Sequence, residues 1–311
     1  MSYPVQYICC KVCGSDRPRF LGIRGNLEYA GAPALKPRQE HMVTNVVQCR
    51  VCGFVYTNPL ILCDNQEAYS EHDKYKSSAD NIDPQTLFSF TMDTIEKYTI
   101  SGKVLLDVGC GKGEFLDIAK KRGWRVYGTE PFGNLADYAS KKYNLNIKTV
   151  PLENAGFSDS FFDVVTLNMV LEHLDEPKHA LIEINRILKN NGILFIEVPN
   201  MDSLILKLAT IYFKLNKKDW SVHLSPLHHP FHRYGYGMLS LSRLLKICGF
   251  KIKKVVIKDS ILRGIRHNPS VSRLERWLCR TVIKMAGILG EGDILTVVAV
   301  KEKEGICSQR L

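Results

Sequence analysis

The 311-residue chain lacks any uninterrupted apolar stretch long enough to span a lipid bilayer. Its first residues, MSYPVQYICCKVCG, lack the basic start and the long apolar run of a secretory signal peptide. Repeats and low-complexity tracts are also missing, and with 45% hydrophobic and 24% charged residues the composition is too ordinary for a disordered chain. We therefore expect a cytoplasmic protein with a sizeable core, whose 10 cysteines stay reduced unless a metal holds them.

The net charge of +10 is unevenly distributed along the chain. Residues 61–200 carry 15 basic and 21 acidic side chains, whereas residues 201–311 carry 20 basic and 8 acidic ones. An acidic middle section and a basic C-terminal third indicate that the two parts have different tasks.

From residue 103 onward, short apolar runs alternate with helical patterns. This alternation predicts an α/β fold, with a parallel sheet covered by helices. We predict strands at 103–108, 125–130, 146–150, 162–168, 192–198, 250–258 and 293–300, and helices at 84–98, 114–122, 134–143, 177–189, 203–214, 239–248 and 271–288.

The pattern also predicts the domain boundaries. Residues 1–62 are rich in Cys, Gly, Pro and Arg and carry short β-like runs, which is typical of a small zinc-ribbon-like module. Residues 63–99 are interpreted as a helical connector and residues 100–311 as the α/β domain. Within that domain an insertion at 200–238 breaks the alternation, and insertions at this position often form a lid over a ligand.

Two copies of the pattern Cys-x-x-Cys-Gly lie in the N-terminal segment, one at Cys10 and Cys13 and the other at Cys49 and Cys52. Two residues between thiolates allow one tight turn to direct both sulfurs at a single ion. Four thiolates complete a closed tetrahedral shell, so we predict one structural zinc ion per chain, with Cys9 as the substitute for Cys10.

A glycine-rich turn, Asp107-Val-Gly-Cys-Gly-Lys-Gly113, connects a predicted strand to a helix, and Glu130 ends the next strand. Such a turn admits a ligand close to the backbone, and the acidic residue can accept ribose hydroxyls. A dinucleotide would place its pyrophosphate at the start of the helix, where Glu114 would repel it. S-Adenosylmethionine carries a sulfonium cation and no phosphate, so an acidic environment suits it better.

The segment VLLDVGCGKGEFLDIA resembles the first motif of class I S-adenosylmethionine-dependent methyltransferases. VYGTEP resembles their second motif, and FSDSFFDVVTLNMVLEHLDEP and ILKNNGILFIEVPN resemble their fourth and fifth strand regions. The resemblance covers about residues 100–300. It implies a doubly wound, Rossmann-like sheet of seven mostly parallel strands, the last one antiparallel, with S-adenosylmethionine as the cofactor.

Carried over residue by residue, the resemblance assigns the cofactor contacts. Those at the methionine end are Asp107, Gly109, Cys110, Gly111 and Gly113. Glu130 would bind the ribose, and Pro131, Phe132, Leu152 and Glu153 fall on the adenine side. Asn168 and Met169 would lie beside the methyl donor. Pro151 stands where the family often has an acidic residue, so the sequence departs from the family pattern on the adenine side.

Methyl transfer often requires removal of a proton from the acceptor, and histidine is the usual base at neutral pH. Four histidines, at positions 223, 228, 229 and 232, lie in the insertion. The insertion resembles that of methyltransferases with an N-terminal cysteine pair that act on sugars. By spacing in that resemblance His232 is the candidate base. His228, His229 and Tyr234 are its neighbours, and Glu172 is a further candidate.

The sequence therefore predicts a methyltransferase acting on a small molecule, a sugar nucleotide or glycan precursor whose diphosphate the basic C-terminal third would bind. The alternative is an RNA methyltransferase that uses the zinc module and the basic surface, although no RNA-binding motif is present. A binding protein without catalysis is the third class. The helix at 203–214, with Lys214, Lys217 and Lys218, also permits contact with a membrane surface.

Overall fold

The computed structural model describes residues 4–24, 44–61, 83–100, 102–224, 232–258 and 273–302. Residues 63–82 of the predicted connector, together with His228 and His229, lie outside these residues. The strands are β1 (Val5–Gln6), β2 (Pro18–Arg24), β3 (Thr44–Cys49), β4 (Val55–Thr57), β5 (Leu60–Ile61), β6 (Val104–Val108), β7 (Arg125–Thr129), β8 (Ile147–Lys148), β9 (Phe162–Asn168), β10 (Leu188–Pro199), β11 (Tyr234–Gly235), β12 (Phe250–Lys258) and β13 (Ile294–Lys301). The helices are α1 (Pro84–Tyr98), α2 (Glu114–Lys121), α3 (Gly133–Tyr143), α4 (Pro177–Ile187), α5 (Leu204–Leu215), α6 (Met238–Ile247) and α7 (Arg273–Leu289).

The chain divides into two compact units, each built from several segments. The ribbon unit comprises Met1–His72, Val198–Arg243 and Val256–Leu295. The sheet unit comprises Asp73–Glu197, Leu244–Val255 and Thr296–Leu311.

Seven strands form one sheet in the order β12-β13-β10-β9-β6-β7-β8. The pairs β10–β9, β9–β6, β6–β7 and β7–β8 are parallel, which confirms the predicted doubly wound α/β fold. Its central strands are buried on both faces, as parallel strands covered by helices must be. Side chains of α1, α2, β6 and β9, such as Ile95, Leu116, Leu105 and Val164, meet in the core.

Local signals set the start of α1. Asp83 precedes α1, and its Oδ2 accepts a hydrogen bond from the backbone N of Thr86 at 3.0 Å. Pro84 occupies the first turn, where its missing N–H costs nothing. Both features follow from the sequence, and the predicted span of this helix is confirmed.

Most predicted boundaries differ from the observed ones by one or two residues, and the largest difference lies between α4 and β10. The helix predicted to run to residue 189 ends at Ile187, and β10 begins at Leu188 instead of residue 192. Leu188 pairs with Phe162 of β9, and the register then shifts before Ile193. Asn191 takes a positive φ of 62°, which accommodates this irregularity. Long-range pairing thus overrides the local helical pattern.

The ribbon unit contains a four-stranded sheet in the order β11-β4-β3-β2. Its first strand comes from the segment predicted as an insertion, because Tyr234 and Gly235 pair antiparallel with Tyr56 and Val55. Ile23 also forms a bridge to Trp220 of that segment. The insertion and the cysteine-containing segment therefore fold together in one unit, and no sequence pattern had joined them.

Among the described residues, no helix is both long enough and apolar enough to cross a membrane.

Candidate functional site

The glycine-rich turn follows β6 directly, at the carboxyl end of the sheet. Gly109 and Gly111 take φ values of 65° and 53°, the left-handed region that glycine favours. A Cβ at Gly109 would lie 2.9 Å from Cγ2 of Val170, whereas a Cβ at Gly111 would meet no atom within 4 Å. The backbone at Gly111 is therefore open to close approach, which suits a ligand.

Gly113 also has a role in packing, and its contact with a cofactor stays a prediction. It has a φ of 78° and precedes the first residue of α2. A Cβ there would lie 2.7 Å from Cβ of Ala139 and 2.8 Å from Cδ1 of Leu145. The close packing of α2 against α3 requires this glycine, whether or not a ligand is bound.

Asp107 is buried near the end of β6, and its Oδ1 accepts two hydrogen bonds from β9. Thr166 donates through Oγ1 at 2.5 Å, and Asn168 donates through Nδ2 at 3.2 Å. Burial raises the pKa of Asp107 to about 7, and the charge of Glu130 acts in the same direction while the two hydrogen bonds oppose it. The site therefore holds a carboxyl group that a nearby cation would ionise.

Glu130 follows β7 and is also buried, with an exposed fraction of 4%. Its Oε2 accepts from the backbone N of Gly111 at 2.8 Å, and its Oε1 accepts from the backbone N of Phe132 at 3.1 Å. Burial raises the pKa of Glu130, while these two backbone donors oppose the shift. The carboxylate is thus held beside the glycine turn in a fixed orientation.

The other residues expected on the adenine side are spread over two segments. Pro131 is exposed and Phe132 half-buried just before α3. Leu152 is buried and Glu153 exposed in a short 3-10 helix, Leu152–Asn154. Pro151 immediately precedes this helix. The expected contacts of these side chains with an adenine stay a prediction.

Asn168 and Met169 stand where β9 ends. Met169 has a φ of 54°, a strained value for a residue with a side chain, and its backbone N donates to the backbone O of Glu197 at 2.8 Å. Asn168 is the register partner of Glu197 on β10, and Glu197 accepts through Oε2 from Thr296 Oγ1 at 3.1 Å. The polar side chains of Asn168, Glu197 and Thr296 thus lie on neighbouring strands of the sheet, and those of Asn168 and Glu197 stand near the carboxyl ends of β9 and β10.

Glu172 lies in the loop after β9 and is almost fully buried, with an exposed fraction of 1%. Both of its carboxylate oxygens lack a hydrogen-bond partner among the described residues. Nε2 of His173 lies 4.0 Å from Oε1, beyond hydrogen-bond distance. Burial raises the pKa of Glu172 to about 8. The nearby backbone N–H of Glu172 itself opposes this shift, and the negative charge of Glu197 adds to it.

The histidine and tyrosine candidates that the structure describes belong to the ribbon unit. The backbone O of His232 accepts from the guanidinium of the buried Arg24. Tyr234 is fully buried on β11 and packs against Phe54 with ring centroids 5.4 Å apart, which is a core position. Burial lowers the pKa of His223 to about 4, an effect that Asp202 opposes and Arg19 reinforces. His223 is therefore neutral at physiological pH.

The four metal-site cysteines come together in the ribbon unit. Their Sγ atoms all lie within 4.8 Å of one another, and the pairs Cys10–Cys52 and Cys13–Cys49 are each separated by 3.5 Å. A tetrahedral zinc ion with bonds of about 2.3 Å separates its sulfurs by about 3.8 Å, so the donor set fits this metal.

The two cysteine turns have the same backbone hydrogen bond, from Gly14 N to Cys10 O and from Gly53 N to Cys49 O. The glycine after each turn has a φ near 70°, 71° at Gly14 and 73° at Gly53. The repeated sequence pattern therefore predicts a repeated local structure. The exposed Cys9 lies outside the sulfur cluster, so it does not replace Cys10 in this arrangement.

Sequence reasoning missed Thr166, whose hydroxyl holds Asp107, and Glu197. A signal for Thr166 was present. Residues two apart on a strand share a face, so the assignment of Asn168 to the site also placed Thr166 on that face. Glu197 needed the strand register, which the sequence alone does not reveal.

A family model described as a methyltransferase domain matches residues 83–254. An uncharacterized protein of Methanocaldococcus jannaschii is 37% identical over 121 residues, covering 38% of this chain and 51% of that protein. The ubiquinone biosynthesis O-methyltransferase of Coxiella burnetii is 29% identical over 110 residues, covering 34% of this chain and 47% of that enzyme. The chain thus spans about half the length of these curated relatives.

Among solved structures, the geranyl diphosphate C-methyltransferase of Streptomyces coelicolor superposes with a TM-score of 0.50 at 14% identity, covering 70% of this chain and 81% of that one. That structure contains Mg²⁺, geranyl diphosphate and S-adenosyl-L-homocysteine. At this identity the likeness shows a shared fold. The family model covers more than half of the chain, including the glycine turn and both buried acids of the carboxyl edge, and the chain therefore belongs to the methyltransferase-domain family.

Proposed function

We propose that this protein transfers a methyl group from S-adenosylmethionine to a small-molecule acceptor. The observation that carries the proposal is the pair of buried carboxyl groups, Asp107 and Glu130, beside a glycine turn with open backbone at Gly111. Bound there, the cofactor supplies an electrophilic methyl group on a sulfonium cation. Asp107 would bind the positively charged end of the cofactor, and Glu130 would accept hydrogen bonds from the ribose.

The geometry favours this cofactor over a dinucleotide. Glu114 is the first residue of α2, the position where a pyrophosphate would need the helix N-terminus. Three acidic groups, at positions 107, 114 and 130, would then surround a ligand that is itself negatively charged. The same groups attract a cation.

Glu172 is the best-supported proton acceptor among the described candidates. Its carboxyl group is buried, and its oxygens have no hydrogen-bond partner among the described residues. When ionised, it would accept the proton that the acceptor loses as its nucleophilic atom takes the methyl group. His232 stays a second candidate for this role.

Calorimetry with S-adenosylmethionine, S-adenosylhomocysteine and NADH tests the cofactor. We expect the first two ligands to bind and NADH not to bind. Asp107→Asn should weaken binding by about tenfold or more, because it removes a charge that faces a cation. The matched control is Asp117→Asn in α2, where the carboxylate pairs with Lys121. Equal affinities of the two variants, or preference for NADH, would contradict the proposal.

For the acceptor, we propose a sugar nucleotide or glycan precursor. The support is the excess of basic residues in the C-terminal third, 20 against 8 acidic ones, which favours an anionic ligand. The Coxiella and Streptomyces proteins named above are methyltransferases for small molecules. Formation of S-adenosylhomocysteine would be measured with nucleoside-diphosphate sugars and with structured RNA. Turnover with RNA alone would overturn this assignment.

A structural feature weakens the RNA alternative. Lys251, Lys253 and Lys254 are exposed on β12, which is an edge strand of the seven-stranded sheet. Lysines on an edge strand prevent pairing with other sheets, so their presence there needs no nucleic acid. Salt-dependent binding of RNA would restore the alternative.

We further propose that the four cysteines bind one zinc ion with a structural role. Four thiolate ligands complete the tetrahedral shell, so no position stays open for a reacting water molecule. Metal analysis of the purified protein should find about one zinc per chain.

A further inference from the structure

Helix α5 exposes an apolar stripe. Leu208, Ile211, Tyr212 and Leu215 have exposed fractions of 41%, 54%, 61% and 78%. Their spacing of three and four residues places them on one face of the helix. A helix on a surface that faces water normally presents polar side chains on its outer face, so this stripe needs an explanation.

The other face of α5 is already occupied. Leu206 packs against a cluster in the ribbon unit formed by Val46, Val55, Met201 and Leu224. Lys207 pairs with Glu291 at 2.6 Å, which fixes the helix at its first turn. The orientation of α5 is thus set by its own unit, and the apolar stripe faces outward as a consequence.

Positive charge lies beside this stripe, mainly at its C-terminal end. Residues 203–218 contain four lysines, at positions 207, 214, 217 and 218, of which Lys207 pairs with Glu291, and Asp202 and Asp219 flank the segment. Lys214, Lys217 and Lys218 are exposed at and after the end of the helix. An apolar stripe bordered by lysines is the pattern of a helix that lies in the interface of an anionic membrane.

Helix α7, which contacts α5 in the same unit, repeats the pattern. Trp277, Met285 and Ile288 have exposed fractions of 61%, 50% and 85% at spacings that share one helix face. The exposed Lys284 lies beside Met285. Tryptophan is the side chain that membrane interfaces favour most, because its ring is apolar and its N–H remains hydrated.

From these observations we infer that α5 and α7 form a docking surface for an anionic phospholipid membrane. The apolar side chains enter the boundary between headgroups and acyl chains, and the lysines contact lipid phosphates. A second copy of this chain is a poorer occupant. Residues 203–218 and residues 273–289 carry four basic residues each, with Glu275 as the single acidic residue of the two segments, so two such surfaces would repel each other.

Vesicle sedimentation of the full chain tests the inference. Vesicles of phosphatidylcholine and phosphatidylglycerol at about 2:1 should bind the protein, and pure phosphatidylcholine vesicles should bind it at least about tenfold more weakly. Ile211→Glu should reduce binding to the mixed vesicles by about tenfold or more, because a carboxylate would have to enter the apolar layer. Lys214→Glu should also weaken binding and reduce its dependence on salt concentration.

The matched control is Ile182→Glu, the same substitution on α4 of the sheet unit, where Ile182 has an exposed fraction of 40%. It should leave vesicle binding unchanged. Equal effects of the two glutamate variants, or no binding of the wild type to mixed vesicles, would overturn the inference.

Sedimentation equilibrium without lipid tests whether a second copy of the chain occupies this surface instead. A dimer that Ile211→Glu dissociates would assign the surface to a second copy and overturn the inference. Cofactor binding is measured separately, so failure here leaves the proposed methyl transfer intact.

Discussion

At the scale of single residues, the candidate site depends on carboxyl groups that are buried before any ligand arrives. Asp107 and Glu172 both have raised pKa values, about 7 and about 8, because burial disfavours the charged form. The two groups differ in their surroundings. Asp107 accepts two hydrogen bonds, and Glu172 accepts none from the described residues. Asp107 is therefore suited to a fixed contact with a cation, and Glu172 is suited to proton transfer.

The state of Asp107 predicts how cofactor affinity depends on pH. A bound cation lowers the pKa of this carboxyl group, so binding releases a proton wherever the free group is protonated. The association constant of S-adenosylmethionine should therefore rise with pH up to about 7 and then level off. Below that point the slope approaches about tenfold per pH unit. Calorimetry between pH 5 and 8 measures it, and Asp107→Asn should flatten the profile. A profile of the same slope in that variant would assign the proton to another group.

Glu172→Gln tests whether a functional residue reduces stability. The folded-state pKa of about 8 lies above the value in an unfolded chain, so the carboxyl group favours folding only while it is protonated. Wild type and variant should have similar unfolding free energies near pH 4. The variant should become more stable relative to the wild type as pH rises from 4.5 to 8, by about 4 kcal/mol.

Urea unfolding at several pH values measures this difference. The same variant should lose methyl transfer while keeping cofactor affinity, since a glutamine cannot accept the proton. A variant that is destabilised at pH 8 would show that Glu172 has a stabilising partner in the folded protein.

At the scale of secondary-structure elements, the glycine turn serves both packing and binding. Gly113 allows α2 to lie close to α3, and Gly109 allows the turn to pass Val170. Gly111 is the position where the added Cβ would be free of contacts. The three glycines of one motif are therefore required for different physical reasons: Gly109 and Gly113 for close packing, and Gly111 for an open backbone. A motif match does not distinguish these reasons.

Gly113→Ala and Gly123→Ala separate these constraints. Both glycines have a φ near 80°, 78° and 82°, so each substitution incurs backbone strain of about 1 kcal/mol. At Gly113 the new Cβ also meets Ala139 and Leu145, whereas at Gly123 no atom lies within 4 Å. Gly113→Ala should therefore lower the free energy of unfolding by about 2–4 kcal/mol, and Gly123→Ala by about 1 kcal/mol. Equal losses in denaturant unfolding would mean that α3 moves aside without cost.

At the scale of the whole molecule, the residues proposed to bind the cofactor and those proposed to bind the metal lie in different units. All the cofactor residues proposed above belong to the sheet unit, and all four metal-site cysteines belong to the ribbon unit. The exposed apolar helices α5 and α7 are also in the ribbon unit. We therefore expect loss of metal to affect one unit far more than the other.

Cys52→Ser tests this separation, with Cys9→Ser as the control because Cys9 is exposed and outside the sulfur cluster. Cys52→Ser should lose the zinc and lower the melting temperature of the ribbon unit, while Cys9→Ser should change neither. Affinity for S-adenosylmethionine should stay within about threefold of wild type in both variants. Loss of cofactor binding in proportion to zinc loss would show that the metal also supports the sheet unit.

The amino-acid sequence by itself determined the features that local patterns encode. Alternating apolar runs predicted the seven strands, and the repeated Cys-x-x-Cys-Gly predicted two equal turns. The start of α1 is encoded by the adjacent residues Asp83 and Pro84. These features depend on residues close together in the chain, so their physical causes can be seen in a short window of sequence.

Only the tertiary structure decided the features that depend on distant residues. The early start of β10 follows from pairing with Phe162, and the hydroxyl that holds Asp107 comes from Thr166 on a neighbouring strand. The segment at 200–238 joins the cysteine-containing sheet through Tyr234. In each case the partner lies far away in the chain, and the energy of burial and hydrogen bonding between such partners outweighs local propensity. The same packing turns the apolar stripe of α5 outward, and for that reason the sequence could suggest a membrane contact but could not orient it.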